Sequence, residues 1–153
     1  MRRKDKLIED KKIITKILTN SKICRIGLFD KNHPYIVPMN YGYSNDSLYF
    51  HCAPDGKKID LIKRNNKVCF EIEHSHEIVK KEVSCNWTTK YLSVIGYGAI
   101  EIIYDTDEKK NGLNIIMKHH GKKENIYDDK LVNKVVILKL NISSLTAKQS
   151  GDY

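Results

Sequence analysis

Apolar side chains recur at helical spacing near the start of the chain, where Ile13, Ile14, Ile17 and Leu18 stand among charged neighbours. The spacing predicts a first helix over about residues 5–19, packing one face on a sheet. Shorter apolar runs follow. Ile23 to Phe29 reads as a strand closed by Asp30-Lys31-Asn32, with Pro34 to Tyr41 as its hairpin partner. A second turn at Ser44-Asn45-Asp46 leads into Leu48 to Ala53, so three consecutive strands predict an antiparallel meander in an all-β or α+β fold. Val68 to Ile72 is a fourth strand, and Lys90 to Tyr104 a long one bent at Gly96-Tyr97-Gly98. After Tyr104 a helix is expected with Thr106 as its cap, Leu113, Ile116, Met117 and His120 on one face, and Gly121 at its end. Val135 to Leu140 closes the sheet, and 147–153 reads as a loose tail of a single domain spanning 1–153.

Two features of this pattern point to a ligand. Pro38 falls inside the second strand, and proline belongs at an edge, a bulge or a place where a strand opens. The strand carrying Leu48, Phe50 and Cys52 on one face, and Tyr49, His51 and Ala53 on the other, runs through Pro54-Asp55-Gly56 into a helix beginning Lys57-Lys58. A helix start has unpaired amides and a positive dipole end. With a glycine and two ammonium groups it suits a phosphate, and the alternative is two solvated lysines on a capped helix. Gly96-Tyr97-Gly98 is no dinucleotide fingerprint, because it lacks the third glycine and continues as strand.

Composition narrows the classes. A chain of 153 residues buries about two thirds of its unfolded surface and has room for a full core. No apolar run approaches a membrane span, and the amphipathic start is unlike a secretory leader, so a cytoplasmic protein is expected. Cys24, Cys52, Cys69 and Cys85 form no close pair, which favours buried free thiols over zinc. His119 and His120 read as helix-end residues, since neighbours on a helix diverge by about 100°, and no metal is expected. The net charge of +8 raises nucleic-acid binding. The basic residues near the N-terminus are interleaved with Asp5, Glu9 and Asp10, however, as on a solvated helix face, and no nucleic-acid motif follows.

Seven motifs in order carry a resemblance: Arg2-Arg3-Lys4-Asp5, Cys24-Arg25-Ile26-Gly27, Pro34 to Tyr43, Leu48-Tyr49-Phe50-His51, Gly56-Lys57-Lys58-Ile59-Asp60, Val68-Cys69-Phe70-Glu71 and Ser93 to Gly98. Together they resemble the 5-nitroimidazole-resistance (NimA-like) family of the pyridoxamine 5'-phosphate oxidase-like, FMN-binding split barrels. The resemblance implies a mainly β (α+β) fold, a six-stranded antiparallel split β-barrel with flanking helices, assembled as a homodimer with flavin at the subunit interface. It implies that Lys57 and Lys58 hold the phosphate of FMN, or of FAD, which offers a phosphate at the same end. Val37, Pro38, Met39 and Asn40 would line the isoalloxazine, Phe50 and His51 would close the cleft, and Trp87, Ser93, Val94 and Ile95 would come from the partner subunit.

The implied activity is that of a flavin oxidoreductase passing electrons from reduced nicotinamide or another donor to a small, nitroaromatic or nitroimidazole-like acceptor. The alternative is a non-catalytic flavin-binding or redox-sensing module of the same fold. His51 is the candidate catalytic residue, because an imidazole titrates near neutrality and can donate a proton or hold charge. The alternative for it is plain contact with the flavin. His74 and His76 sit in a polar stretch expected to be loop, and take no role. The final stretch from Ala147 has no arginine, unlike true pyridoxamine phosphate oxidases, which disfavours oxidation of a B6 vitamer.

Overall fold

The computed structural model describes residues 3–151. Met1, Arg2, Asp152 and Tyr153, which include part of the basic N-terminal motif and the end of the expected tail, lie outside the described residues. Eight strands form one antiparallel sheet: β1 (Leu7–Ile8), β2 (Ile23–Asp30), β3 (His33–Asn40), β4 (Gly42–Ser44), β5 (Ser47–Cys52), β6 (Lys67–Val79), β7 (Thr88–Ile103) and β8 (Val136–Ser150). Among the described residues four α-helices accompany it: α1 (Lys11–Asn20), α2 (Lys57–Arg64), α3 (Thr106–His119) and α4 (Asp129–Val132). No helix among the described residues is long and apolar enough to cross a membrane.

The strand order is β3-β2-β6-β7-β8-β5-β4, with β1 added along the far end of β8. This corrects the expected six-stranded split barrel: the sheet has eight strands and is open, because β3 and β4 end the order at opposite edges and do not pair with each other. The meander expected from β2, β3 and the next strand is likewise two separate hairpins. Only Tyr41 joins them. Its side chain is fully buried, its hydroxyl donates to the Leu18 carbonyl at 2.8 Å, and its ring packs against His119 at 4.7 Å. Anchored there, the chain leaves one sheet edge and enters the other. Asn45 and Asp46 both take positive φ, 48° and 53°, the geometry of a tight hairpin turn between β4 and β5.

The first helix, expected over about residues 5–19, begins later and still holds the whole apolar pattern. The Asp10 carboxylate accepts from the Lys12 amide at 2.7 Å and starts α1 at Lys11. Leu7 and Ile8, ahead of it, pair with Lys148 and Ala147 of β8. Thr106 is not the cap of α3 either, since the Asp105 carboxylate accepts from the amides of Asp107 and Glu108. At the other end of the chain the expected tail is sheet through Ser150, with Ala147 buried. β6 also runs beyond the expected 68–72, so His74 and His76 lie on a strand. Their polar stretch is held by backbone pairing with β7, out to Val79 opposite Thr88. The bend expected near Gly96 to Gly98 appears as a register shift against β8 between Tyr97 and Gly98.

The main core lies on the inward face of the sheet, where Cys24, Ile26, Leu48, Phe50, Phe70, Ile72, Val94 and Leu138 meet Ile17 and Leu18 of α1 and Ile59 and Ile62 of α2. On the outward face α3 covers Ile103 and Ile137 through Ile116 and Leu113. Phe29, Ile36, Ile95 and Tyr97 on the rest of that face remain exposed. All four cysteines are free, but only Cys24 is buried; Cys69 and Cys85 are exposed, since Cys69 alternates outward between the buried Val68 and Phe70.

Candidate functional site

β5 delivers the chain to the start of α2 through Ala53 to Gly56. Gly56 has φ 106°, a left-handed conformation that favours glycine, and no side chain caps the helix. The first turn is closed by the Asp60 amide donating to the Gly56 carbonyl at 3.1 Å. Asp55 does not act as a cap, so the earlier amides of α2 receive no side-chain acceptor. Eight residues of helix then project a positive dipole end toward this corner.

The two lysines beside that corner are not equivalent. The Lys57 ammonium stands 2.7 Å from the Asp30 carboxylate and 4.7 Å above the ring centre of Tyr35. The Lys57 hydrogen bond and charge hold the Asp30 carboxyl below its usual range. Lys58 is half-buried, and its ammonium donates to the Met39 thioether at 3.5 Å. Among the described residues no carboxylate comes within ion-pair distance of it. His51 is exposed at the surface, and partial desolvation, then the Lys58 charge, lower its pKa, which favours neutral imidazole at neutral pH. Burial raises the Cys52 thiol, partly offset by Lys58.

Strand alternation divides the other expected site residues between the two faces. Val37 and Met39 lie opposite Ile26 and Cys24 and face inward, Met39 against Lys58. Pro38 and Asn40 face outward, with Pro38 opposite Arg25. Phe50 and Val94 are fully buried, so in this chain their side chains belong to the core. Ser93 and Ile95 belong to the outward face. There Ile95 stands opposite Glu71, Glu71 opposite Arg25 and Arg25 opposite Pro38, forming one row across four strands. Arg25 and Glu71 are paired at 2.9 Å within that row. A cleft of about 800 Å³ on this face is lined by Phe29, Asp30, Ile36, Cys69 and Ile95, among others. Trp87 is held to its own loop, its indole N–H donating to the Lys81 carbonyl at 2.7 Å and Lys80 lying 5.6 Å from its ring centre. No cluster of potential metal ligands occurs among the described residues.

Sequence reading missed Asp30, Tyr35 and the Arg25–Glu71 pair. Asp30 reads as turn chemistry, although Tyr35, two residues before Val37, shares its strand face and was available from alternation.

The corner formed by Lys58, Met39 and the uncapped start of α2 fits a phosphate. Its donors are positively polarised and have no anionic partner among the described residues, and nothing there lies within 4 Å of the position a Cβ would take on Gly56.

The sequence profile of pyridoxamine 5'-phosphate oxidase matches residues 10–149. A candidate 5-nitroimidazole antibiotic resistance protein from Bacteroides thetaiotaomicron is 38% identical, with 94% of this chain and 86% of that one covered and a TM-score of 0.84. Two more distant structures share the fold. They are the flavocytochrome Anf3 from Azotobacter vinelandii (17% identity, 99% and 72% covered, TM-score 0.85) and a FAD and heme binding protein from Mycobacterium smegmatis (18%, 97% and 75%, 0.85). No curated protein is matched by the sequence. The family resemblance read from the seven motifs therefore holds, and the chain belongs to the pyridoxamine 5'-phosphate oxidase family, together with the 5-nitroimidazole resistance-type protein of Bacteroides.

Proposed function

We propose that the protein is an FMN-dependent oxidoreductase that reduces a small nitroaromatic or nitroimidazole-like acceptor, with reduced nicotinamide as electron donor. The observation that carries this reading is Lys58, a half-buried ammonium with no carboxylate partner among the described residues, beside the uncapped start of α2, in a chain of this family. FAD would present a phosphate to the same corner; FMN is the simpler fit to one such corner.

A bound flavin supplies the hydride and electron chemistry. The chain's part is to bind, orient and exclude. Lys58 and the first amides of α2 hold the phosphate, and Lys57 stands beside them, paired with Asp30. Val37 and Met39 give one wall, and Pro38, which has no N–H to donate, leaves the edge strand β3 open beside them. His51, with its lowered pKa, would act as a hydrogen-bond donor to the acceptor, and as an acid it would need an acceptor anion to raise its proton affinity. A homodimer with the flavin at its interface would bring Trp87, Ser93 and Ile95 of a second copy to the cleft. This assembly is supported by the exposed apolar side chains of Phe29, Ile36, Ile95 and Tyr97.

The test is an absorption spectrum under anaerobic conditions. After addition of FMN and then NADH or NADPH, the oxidised-flavin bands should bleach and return when a nitroimidazole is added. Bound FMN that bleaches slowly and does not return with acceptor would leave a flavin-binding module instead of a reductase. Failure to bind FMN in excess would overturn the proposal.

A further inference from the structure

We infer that Asp30 holds Lys57 away from the flavin phosphate, so that Lys58 alone supplies the ammonium at that site while Lys57 ties the β2–β3 hairpin to α2. The inference rests on the flavin reading above and concerns how that site is regulated.

Lys57 and Lys58 begin the same helix, yet their side chains leave in different directions. Lys57 reaches the hairpin and meets it twice, at the Asp30 carboxylate (2.7 Å) and at the face of Tyr35 (4.7 Å). Asp30 ends β2 and Tyr35 lies in β3, so both contacts hold one hairpin. The hairpin needs such a tie, because β3 is an edge strand paired, among the described residues, with β2 alone. The Asp30 side chain is 26% exposed against 56% for Lys57, which makes the carboxylate the better fixed member. Asp30 also lines the 800 Å³ cleft on the outward face. One residue thus touches both the cleft and the partner of the phosphate corner.

Two consequences follow for an anion at the start of α2. The Lys57 charge is already offset by the Asp30 carboxylate, and through that contact Asp30 brings a like charge to the residue that begins α2. Removing the Asp30 charge frees Lys57 to turn back along its flexible stem toward its own helix start, and it removes the repulsion. Substituting an acidic residue by its neutral isostere near an active corner should therefore tighten binding, which is opposite to the usual loss.

The experiment titrates the full chain with FMN and with riboflavin, which lacks the phosphate, by quenching of flavin fluorescence at low and moderate salt. Lys58→Ala should weaken FMN roughly 30-fold or more and leave riboflavin nearly unchanged, since it removes a charge-assisted contact. Lys57→Ala should stay within roughly threefold of the native chain. Asp30→Asn should tighten FMN roughly three- to tenfold with a steeper salt dependence, the scale of one added, partly exposed ammonium. The gain should vanish in the Asp30→Asn/Lys57→Ala double variant. Thermal unfolding without flavin confirms that each variant is folded, and Asp30→Ser replaces Asp30→Asn if the latter is not.

Equal losses in Lys57→Ala and Lys58→Ala, weaker binding in Asp30→Asn, or a gain that survives in the double variant would each overturn the inference while leaving the phosphate site in place. FMN bound no tighter than riboflavin by the native chain would remove the phosphate site itself, and the inference with it.

Discussion

Lys57 and Lys58 show what one residue position conveys. Both carry the same charge at the same helix start, and sequence alone gives them the same role; the difference lies in partners brought from β2 and β3, some 20 to 30 residues away. Phe50 and Val94 show the converse. Family motifs are contiguous stretches, but a strand turns alternate side chains to opposite faces. Half of any such stretch on a sheet with one packed face goes to the core, and Phe50 and Val94 are in that half. His51, on the other face, offers a prediction about pH. Though exposed, it has its folded pKa lowered from 6.5 by partial desolvation and by Lys58, and that of His119 is lowered by burial first. The unfolded chain then binds more protons than the folded one as pH falls through about 6.5, so stability is lost on acidification in that window. Melting temperature should drop between about pH 7.5 and pH 5.5, and His51→Gln should drop less. An identical drop in the variant would show that His51 does not feel Lys58 and its surroundings in this way.

Elements were legible where apolar periodicity and capping chemistry agreed, and misread where they conflicted. β2, β3, β5 and α2 sit close to their expected places because each carries a clean period bounded by turn residues. The first helix was read too long because Ile13, Ile14, Ile17 and Leu18 set a period that charged residues upstream do not contradict. Only the Asp10 cap, a side-chain to backbone contact, stops it. The far ends of β6 and β8 escape a periodicity reading for a different reason: Glu73 to Glu77 is polar and Ser143 to Ser150 carries only Leu145 and Ala147 among polar residues, and neighbouring long strands hold both through backbone hydrogen bonds that composition does not record. Asp10→Ala separates the two readings of α1. As an N-cap its loss should destabilise the chain by about 1 kcal/mol, lowering the melting temperature by roughly 2–4 °C for a chain of this size. A helix running back to residue 5 would make the same change neutral or stabilising, because alanine is the better interior residue. Urea denaturation of the two chains decides it.

At the scale of the whole molecule, an open sheet leaves two consequences that a closed barrel would not. Its β3 edge is exposed, with Pro34 and Pro38 interrupting the donors that would otherwise recruit another strand. Its outward face, away from α3, is apolar, with Phe29 66%, Ile36 64%, Tyr97 57% and Ile95 47% exposed around the 800 Å³ cleft. Strand order was beyond reach of the sequence, because nothing local marks that Tyr41 carries the chain from one edge of the sheet to the other. The apolar face was partly within reach, since Phe29 and Ile36 alternate with core residues of the same strands. If that face joins two copies of the chain around a flavin, charge placed in its centre should separate them and empty the site together. Ile95→Glu should convert a dimer to a monomer in sedimentation velocity and weaken FMN at least tenfold, as expected when a desolvated contact at the centre of an interface is lost. The surface position Ile126→Glu, fully exposed and away from the cleft lining, should change neither. A native chain that sediments as a monomer at micromolar concentration while binding FMN would place the whole flavin site on one copy, and the row from Pro38 through Arg25 and Glu71 to Ile95 would then be an open substrate face.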